Sequence, residues 1–228
     1  MHLPKLYGRR QGRPLRRHKS ELLETALPTL RLDRPEPGTR IDPRTLFTPS
    51  VSAVWLEVGF GGGEHLAAQA AQHPDIGVIG CEPFINGVAS LLGHIERGAL
   101  TNVRILVDDA RFLLDALPDA SLDRCFVLFA DPWPKRRHHE RRFIGPGTLD
   151  RLARVLACGA ELRLASDHPG LIPWMLEHTW RHPDFEWLAR RAEDWRSRPA
   201  DWPATRYEQK AIAAGRRPVF LRFRRRDR

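Results

Sequence analysis

The stretch Cys125-Phe126-Val127-Leu128-Phe129-Ala130-Asp131-Pro132-Trp133-Pro134-Lys135-Arg136-Arg137-His138-His139-Glu140-Arg141-Arg142 decides how this chain folds. Its first six residues are apolar without alternation, the pattern of a strand buried on both faces of a parallel sheet. A carboxylate stands where that strand ends, a rigid Pro-Trp-Pro corner follows, and then come five cationic side chains with two histidines among them. In an open α/β sheet, ligands bind outside the carboxyl ends of the strands. An acid and an aromatic ring at such an edge, faced by a basic rim, suit a nucleobase whose polyanionic backbone lies just outside.

Outward from this stretch the rhythm is strand–helix–strand. Strands are expected over residues 54–59, 76–81, 103–107, 123–129 and 161–165. Helices are expected over 64–72, 85–97, 110–116 and 146–157, the last closed by Gly159, with a further helix running through Met175. Residues 185–190 and 219–224 alternate well enough to form a terminal antiparallel pair. Five β-α units closed by a hairpin describe an α/β fold, a doubly wound, Rossmann-like sheet with helices on both faces. Residues 50–228 make up this domain and residues 1–49 precede it. Lys5, Arg9, Arg10, Arg13, Arg16 and Arg17, mixed with glycine and proline, read as a flexible basic arm. Ser20 is an N-cap candidate for a short helix ending near Ala26. Five prolines between residues 28 and 49 then predict an extended connector.

The net charge is +9, and the cations are nearly all arginine, whose planar fork binds phosphate and stacks on bases. A polyanionic partner is the first expectation. Cys81, Cys125 and Cys158 are odd in number and widely spaced. They form neither a disulfide framework nor a metal cluster, which points to a reducing cytoplasm. No stretch approaches a membrane span, and the first residues carry charge without an apolar signal core.

Glu57-Val58-Gly59-Phe60-Gly61-Gly62-Gly63-Glu64 joins the first strand of the α/β rhythm to its helix. Glycines there allow a tight turn and close approach of a ligand to the helix N-terminus. A phosphate loop ends in Gly-Lys-Ser/Thr, whereas this one ends Gly-Glu-His. A dinucleotide loop needs a glycine where Glu64 stands, and an acid there repels pyrophosphate. S-adenosyl-L-methionine is cationic at its sulfonium and amino groups and carries no phosphate, so acids around the loop favour it. Glu82, at the end of the second strand, can accept from both ribose hydroxyls. Asp109, at the end of the third, can accept from the adenine amine, with Ala110 against the ring. The competing role for Glu82 and Asp109 is helix capping.

With these pieces assembled, the chain resembles the bacterial tRNA (guanine-N7-)-methyltransferases, a family of class I S-adenosylmethionine-dependent enzymes. The resemblance rests first on Phe129 through His138, then on Glu57 to Gly61, Asn102 to Ala110, Ser166-Asp167 and Thr205-Arg206-Tyr207-Glu208. It implies methylation of guanine 46 in the tRNA variable loop. Glu57, Gly59, Gly61, Glu82, Asp109, Ala110 and Asp131 would then line the cofactor site. Lys135, Arg136, Arg137, Asp167 and Thr205 to Glu208 would contact tRNA, with Arg141 and Arg142 continuing the basic rim. Two departures stand out: the segment from Pro83 to Val88 lacks the histidine and proline often seen there, and Gly215-Arg216 replaces the usual Gly-His.

Guanine N7 carries no proton, so its methylation needs alignment rather than a general base. Asp131 therefore reads as an orienting acceptor, and either Asp131 or Asp167 can accept from the N1–H and N2–H₂ edge of guanine. Trp133 is either a stacking platform for the base or a core residue under the loop. Thr205 and Glu208 have the spacing of a capping box, with a helix expected over 209–214. No metal site is expected, because adjacent His138 and His139 point apart and no third ligand has supportive spacing. Partners reduce to tRNA, with no membrane and no obligatory protein partner, as a monomer or homodimer. The competing functions are an adenine amino-methyltransferase, since Asp-Pro-Trp-Pro is similar to the Asp-Pro-Pro-aromatic motif, and a non-catalytic RNA-binding subunit of the same fold.

Overall fold

The computed structural model describes residues 7–227, and the chain divides into two units, Met1–Pro118 and Asp119–Arg228. Lys5 of the expected basic arm lies outside the described residues.

The first unit opens with helices α1 (Arg17–Thr25) and α2 (Leu27–Leu30) and the two-residue strand β1 (Arg31–Leu32). Then β2 (Ala53–Val58), α3 (Glu64–Gln72), β3 (Ile76–Cys81), α4 (Ile85–Gly98), β4 (Val103–Leu106) and α5 (Ala110–Ala116) alternate. The strands lie in the order β1-β4-β3-β2, and β2 is parallel to β3, β3 to β4 and β4 to β1. From Val54 on, β2 is buried at every position, as a strand covered on both faces must be. One core cluster gathers Leu66 and Ala70 of α3, Val88, Leu91, Leu92 and Ile95 of α4, and Val78 and Ile105 of the strands. Leu22 of α1 and Leu27 of α2 cap it.

Three expectations change in this unit. The first helix starts at Arg17, with no side-chain cap on Arg16, so Ser20 lies inside it. The connector after it carries α2, β1 and a 3₁₀ turn at Pro43–Leu46, in which Asp42 accepts from the Arg44 N–H. The arm is fastened in part: Asn86, at the start of α4, accepts from the Gly12 N–H at 2.7 Å and donates to the Arg13 carbonyl at 2.7 Å. The Arg10 carbonyl accepts from the Ile85 N–H. Asn86 thereby clamps the arm to the start of α4.

The second unit contains β5 (Leu122–Leu128), a 3₁₀ turn over Arg136–Arg141, α6 (Pro146–Val155), β6 (Leu156–Ser166) and α7 (Ile172–Arg181). It closes with β7 (Phe185–Trp187), α8 (Glu193–Arg196), α9 (Arg206–Ala213) and β8 (Val219–Arg225). The order is β5-β6-β8-β7, with β5 and β6 parallel and β8 antiparallel to both of its neighbours. The terminal antiparallel pair is present, and β8 lies between β6 and β7.

Gly159 does not close a helix. α6 stops at Val155 and β6 begins at once, with Gly159 inside it at φ +76°. Leu122 pairs with Leu156 but Arg124 pairs with Glu161, so β6 carries extra residues around that glycine. A left-handed glycine is what such a bulge requires. α7 begins at Ile172 and continues past Met175 to Arg181, supported by a Glu177–Arg181 pair one turn apart at 2.8 Å. β7 is shorter than expected because Asp194 takes the Arg190 and Arg191 N–H groups.

One buried charge organises the second unit. Arg163 of β6 is 2% exposed, ion-paired to Glu161 and Asp201 at 2.7 Å each. Its guanidinium lies over the rings of Phe126 and Trp202. Burial alone pushes the Glu161 carboxyl up, but the hydrogen bond from Arg222 and the charge of Arg163 outweigh it and hold the pKa below the ordinary value. Breaking such a buried pair costs about 3–5 kcal/mol. Among the described residues no helix is long and apolar enough to cross a membrane.

Candidate active site

In the first unit, the carboxyl ends of β2, β3 and β4 are in register, with Val58 opposite Cys81 and Cys81 opposite Leu106. The glycine loop leaves β2 there. Gly59, Gly61 and Gly63 all have positive φ, and Gly63 starts α3. The loop lies tightly on α4, where a Cβ on Gly87 would stand 2.2 Å from the Gly61 carbonyl oxygen. A Cβ on Gly59 would meet nothing within 4 Å, so the space above that turn is open.

Glu82 is buried, and its two oxygens hold the loop. One accepts from the Gly61 N–H at 2.8 Å and the other from the Phe84 N–H at 3.0 Å. Asp109 caps α5 by accepting from the Arg111 N–H, and the Arg111 side chain grips both carboxylate oxygens, at 2.9 Å and 2.6 Å. That hydrogen bond raises the Arg111 pKa above the ordinary value, against the opposing effect of burial. Ala110 is buried at the first position of α5. Glu57 is buried in β2, with one oxygen 2.7 Å from His65 Nδ1.

In the second unit, β5 and β6 end side by side, with Leu128 opposite Ala165 and the Phe129 N–H donating to the Ala165 carbonyl. Asp131 and Asp167 therefore leave neighbouring strands at one edge. Asp131 is exposed and makes no hydrogen bond or ion pair among the described residues. Asp167 is ion-paired to Arg216 at 2.5 Å. Arg216 enters this edge just before β8, whose Val219 is opposite Ser166. Arg216 thus has a partner of its own.

The basic run does not act as one solvated rim. Lys135, Arg136 and Arg137 are exposed. The Arg141 guanidinium lies 5.2 Å from the Trp133 ring centre. Arg142 corrects the expectation outright: it is buried, donates to the Pro132 carbonyl at 2.9 Å and packs over Trp174. It fixes the corner rather than binding phosphate. Trp133 is half-buried at φ +41° with His138 edge-on to it, so it is a loop residue rather than a core one. Desolvation first, then Arg141 and Arg137, lower the His138 pKa. Burial does the same at His178, whose ring centre lies 4.1 Å from that of Trp174 with the two rings tilted by 58°.

Thr205 caps α9, accepting from the Glu208 N–H at 3.0 Å. The Glu208 side chain does not return to Thr205, as a full capping box would have it; it pairs with Arg198 at 3.1 Å. Arg206 and Tyr207 stand exposed on the first turn.

The family model described as "Putative methyltransferase" matches residues 52–221. A tRNA (guanine-N(7)-)-methyltransferase of Paramagnetospirillum magneticum is 58% identical over 99% of this chain and 94% of its own length. One of Rhodospirillum rubrum is 54% identical over 98% and 89%. The chain belongs to the tRNA (guanine-N(7)-)-methyltransferase family. The 16S rRNA methyltransferase KamB superposes with a TM-score of 0.53 at 18% identity, covering 78% of this chain and 89% of that one. An S-adenosylmethionine-dependent O-methyltransferase from Thermotoga maritima gives 0.51 at 14%, covering 81% and 63%. Both show the fold, that of the class I methyltransferases.

The cofactor of this methyltransferase is S-adenosyl-L-methionine, and the first unit fits it. The Gly61 N–H, which a phosphate-binding loop would turn to its ligand, is taken by Glu82. Three carboxylates, Glu57, Glu82 and Asp109, gather at the strand ends, where pyrophosphate would be repelled and a cationic ligand with a ribose diol is favoured. Sequence reasoning missed His65, Arg111 and Arg198, assigned Arg142 to the phosphate rim and noted Arg216 only as a departure; these five hold the acids and the corner. Only Arg111, two residues from Asp109, carried a local signal.

Proposed function

We propose that this methyltransferase modifies N7 of guanine 46 in the variable loop of tRNA, in the cytoplasm, as a monomer or homodimer without an obligatory protein partner. Residues 50–228 form the catalytic domain and residues 1–49 add a basic arm and connector. Glu57, Gly59, Gly61, Glu82, Asp109 and Ala110 would hold the cofactor, which when bound supplies a methyl group on a sulfonium sulfur. The observation that carries the reading is Asp131: an exposed carboxylate at the end of a buried strand, without a partner among the described residues, followed by Trp133 and the exposed cations Lys135 and Arg136. N7 presents a bare lone pair, so no residue has to remove a proton. The protein's task is alignment, where most of the acceleration of such a reaction lies.

Asp131 is the catalytic residue in this reading, orienting the base as an acceptor. Either it or Asp167 supplies the acceptor for the N1–H and N2–H₂ donor pair of guanine, a pair adenine does not have. Lys135, Arg136 and Arg137 hold phosphates and fix the register of the RNA. Thr205, Arg206, Tyr207 and Glu208 complete the substrate contacts. Replacing guanine 46 of a tRNA by adenine should abolish methyl incorporation, while the same change at other variable-loop positions should not. Undiminished incorporation into the adenine-46 tRNA would place the target elsewhere.

A further inference from the structure

Glu57 is the only carboxylate in β2 and is 3% exposed. A buried carboxylate is costly unless something holds it. What holds it is His65, in the first turn of α3, itself 2% exposed, with Nδ1 2.7 Å from Glu57 Oε2. An ionised carboxylate can only accept, so Nδ1 carries the proton. On the other side of the ring, Nε2 lies 3.5 Å from the amide nitrogen of Gln69. Gln69 is four residues on, hence on the same face of α3. The ring is thereby fixed between a helix side chain and the carboxylate. The second carboxylate oxygen, Oε1, has no hydrogen-bond partner among the described residues.

We propose that His65 is a positioning residue for the cofactor: it holds Glu57 Oε2 so that Oε1 is presented to the cationic amino group of S-adenosylmethionine. This rests on the reading of Glu57 as a cofactor ligand. His65 touches no reacting atom; it acts through Glu57. A donor at the Nδ1 position is what the role requires, and volume alone does not supply it. The glycine loop leads from Glu57 directly into the turn that carries His65, so the pair also ties the end of β2 to the start of α3.

Two substitutions separate positioning from packing. His65→Leu fills the space without a donor. His65→Asn leaves some of it empty but sets an amide N–H near the Nδ1 position. Calorimetry with S-adenosylmethionine on each variant, with thermal melting to establish folding, should show His65→Leu weakened about tenfold and His65→Asn within about threefold of the parent. A merely structural histidine predicts the reverse order, because Leu packs better. Affinity in His65→Leu equal to the parent, or His65→Asn as weak as Leu, overturns the proposal. If the Leu protein does not fold, His65→Gln takes its place, since its amide superposes on Nε2 and leaves Glu57 without a donor. Glu57→Gln is measured alongside. Unchanged affinity there would show that Glu57 is not a ligand, a failure of the premise distinct from failure of the His65 step.

Discussion

At the scale of single residues, the acids of the first unit hold their own backbone, and the proposed reading gives them a second job at the cofactor. Glu82 and Asp109 cap their local backbone, and the same carboxylates stand at the strand ends where a cofactor binds. Capping and ligand binding are compatible in kind, because a carboxylate has about four acceptor sites and the Gly61 and Phe84 N–H groups each use one. Glu82→Ala should therefore weaken S-adenosylmethionine binding twice over, by losing the ribose acceptor and by releasing Gly61. The loss of a charge-assisted contact alone amounts to about 1.5–3 kcal/mol. Calorimetry on the folded variant measures it, and a cofactor dissociation constant equal to the parent's would remove Glu82 from the site. The acids were legible in the sequence because they fall where strands end. Apart from Arg111, two residues from Asp109, their partners were not: His65 and Arg216 are set by side-chain reach, which leaves no periodic trace.

At the scale of elements, the turn over Arg136–Arg141 sorts the basic run that the sequence presents as uniform. Its Lys135, Arg136 and Arg137 face solvent, Arg141 covers Trp133, and Arg142 is spent on the Pro132 carbonyl. Charge counts cannot make that division; only the direction of each side chain from the turn does. Replacing Arg136 and Arg137 together by Ala should flatten the log–log salt dependence of tRNA binding by about one to two units. An unchanged slope would mean that neither touches phosphate. The same limit explains the helix and strand ends that moved. The helices over Glu64–Gln72 and Ala110–Ala116 were readable from a glycine cluster and an Asp cap. The junction of α6 and β6 was not, because a left-handed glycine marks a helix end and a strand bulge equally well.

At the scale of the whole molecule, the fold class, the terminal antiparallel pair and the family were all within reach of the sequence, since strand patterning and the Asp-Pro-Trp-Pro run are local signals. What the sequence withheld is the bracing: Arg163 under Trp202, and the Asn86 clamp on the arm, both contacts between residues distant along the chain. The central claim is that the protein moves a methyl group from S-adenosylmethionine to N7 of a tRNA guanine without a proton-abstracting residue. The most direct test incubates the full chain with unmodified tRNA and methyl-labelled S-adenosylmethionine, digests the RNA to nucleosides and separates them. The label should run with 7-methylguanosine alone. Label in N6-methyladenosine would contradict the account in favour of amino-group chemistry, and RNA that binds but takes up no label would leave only a binding protein.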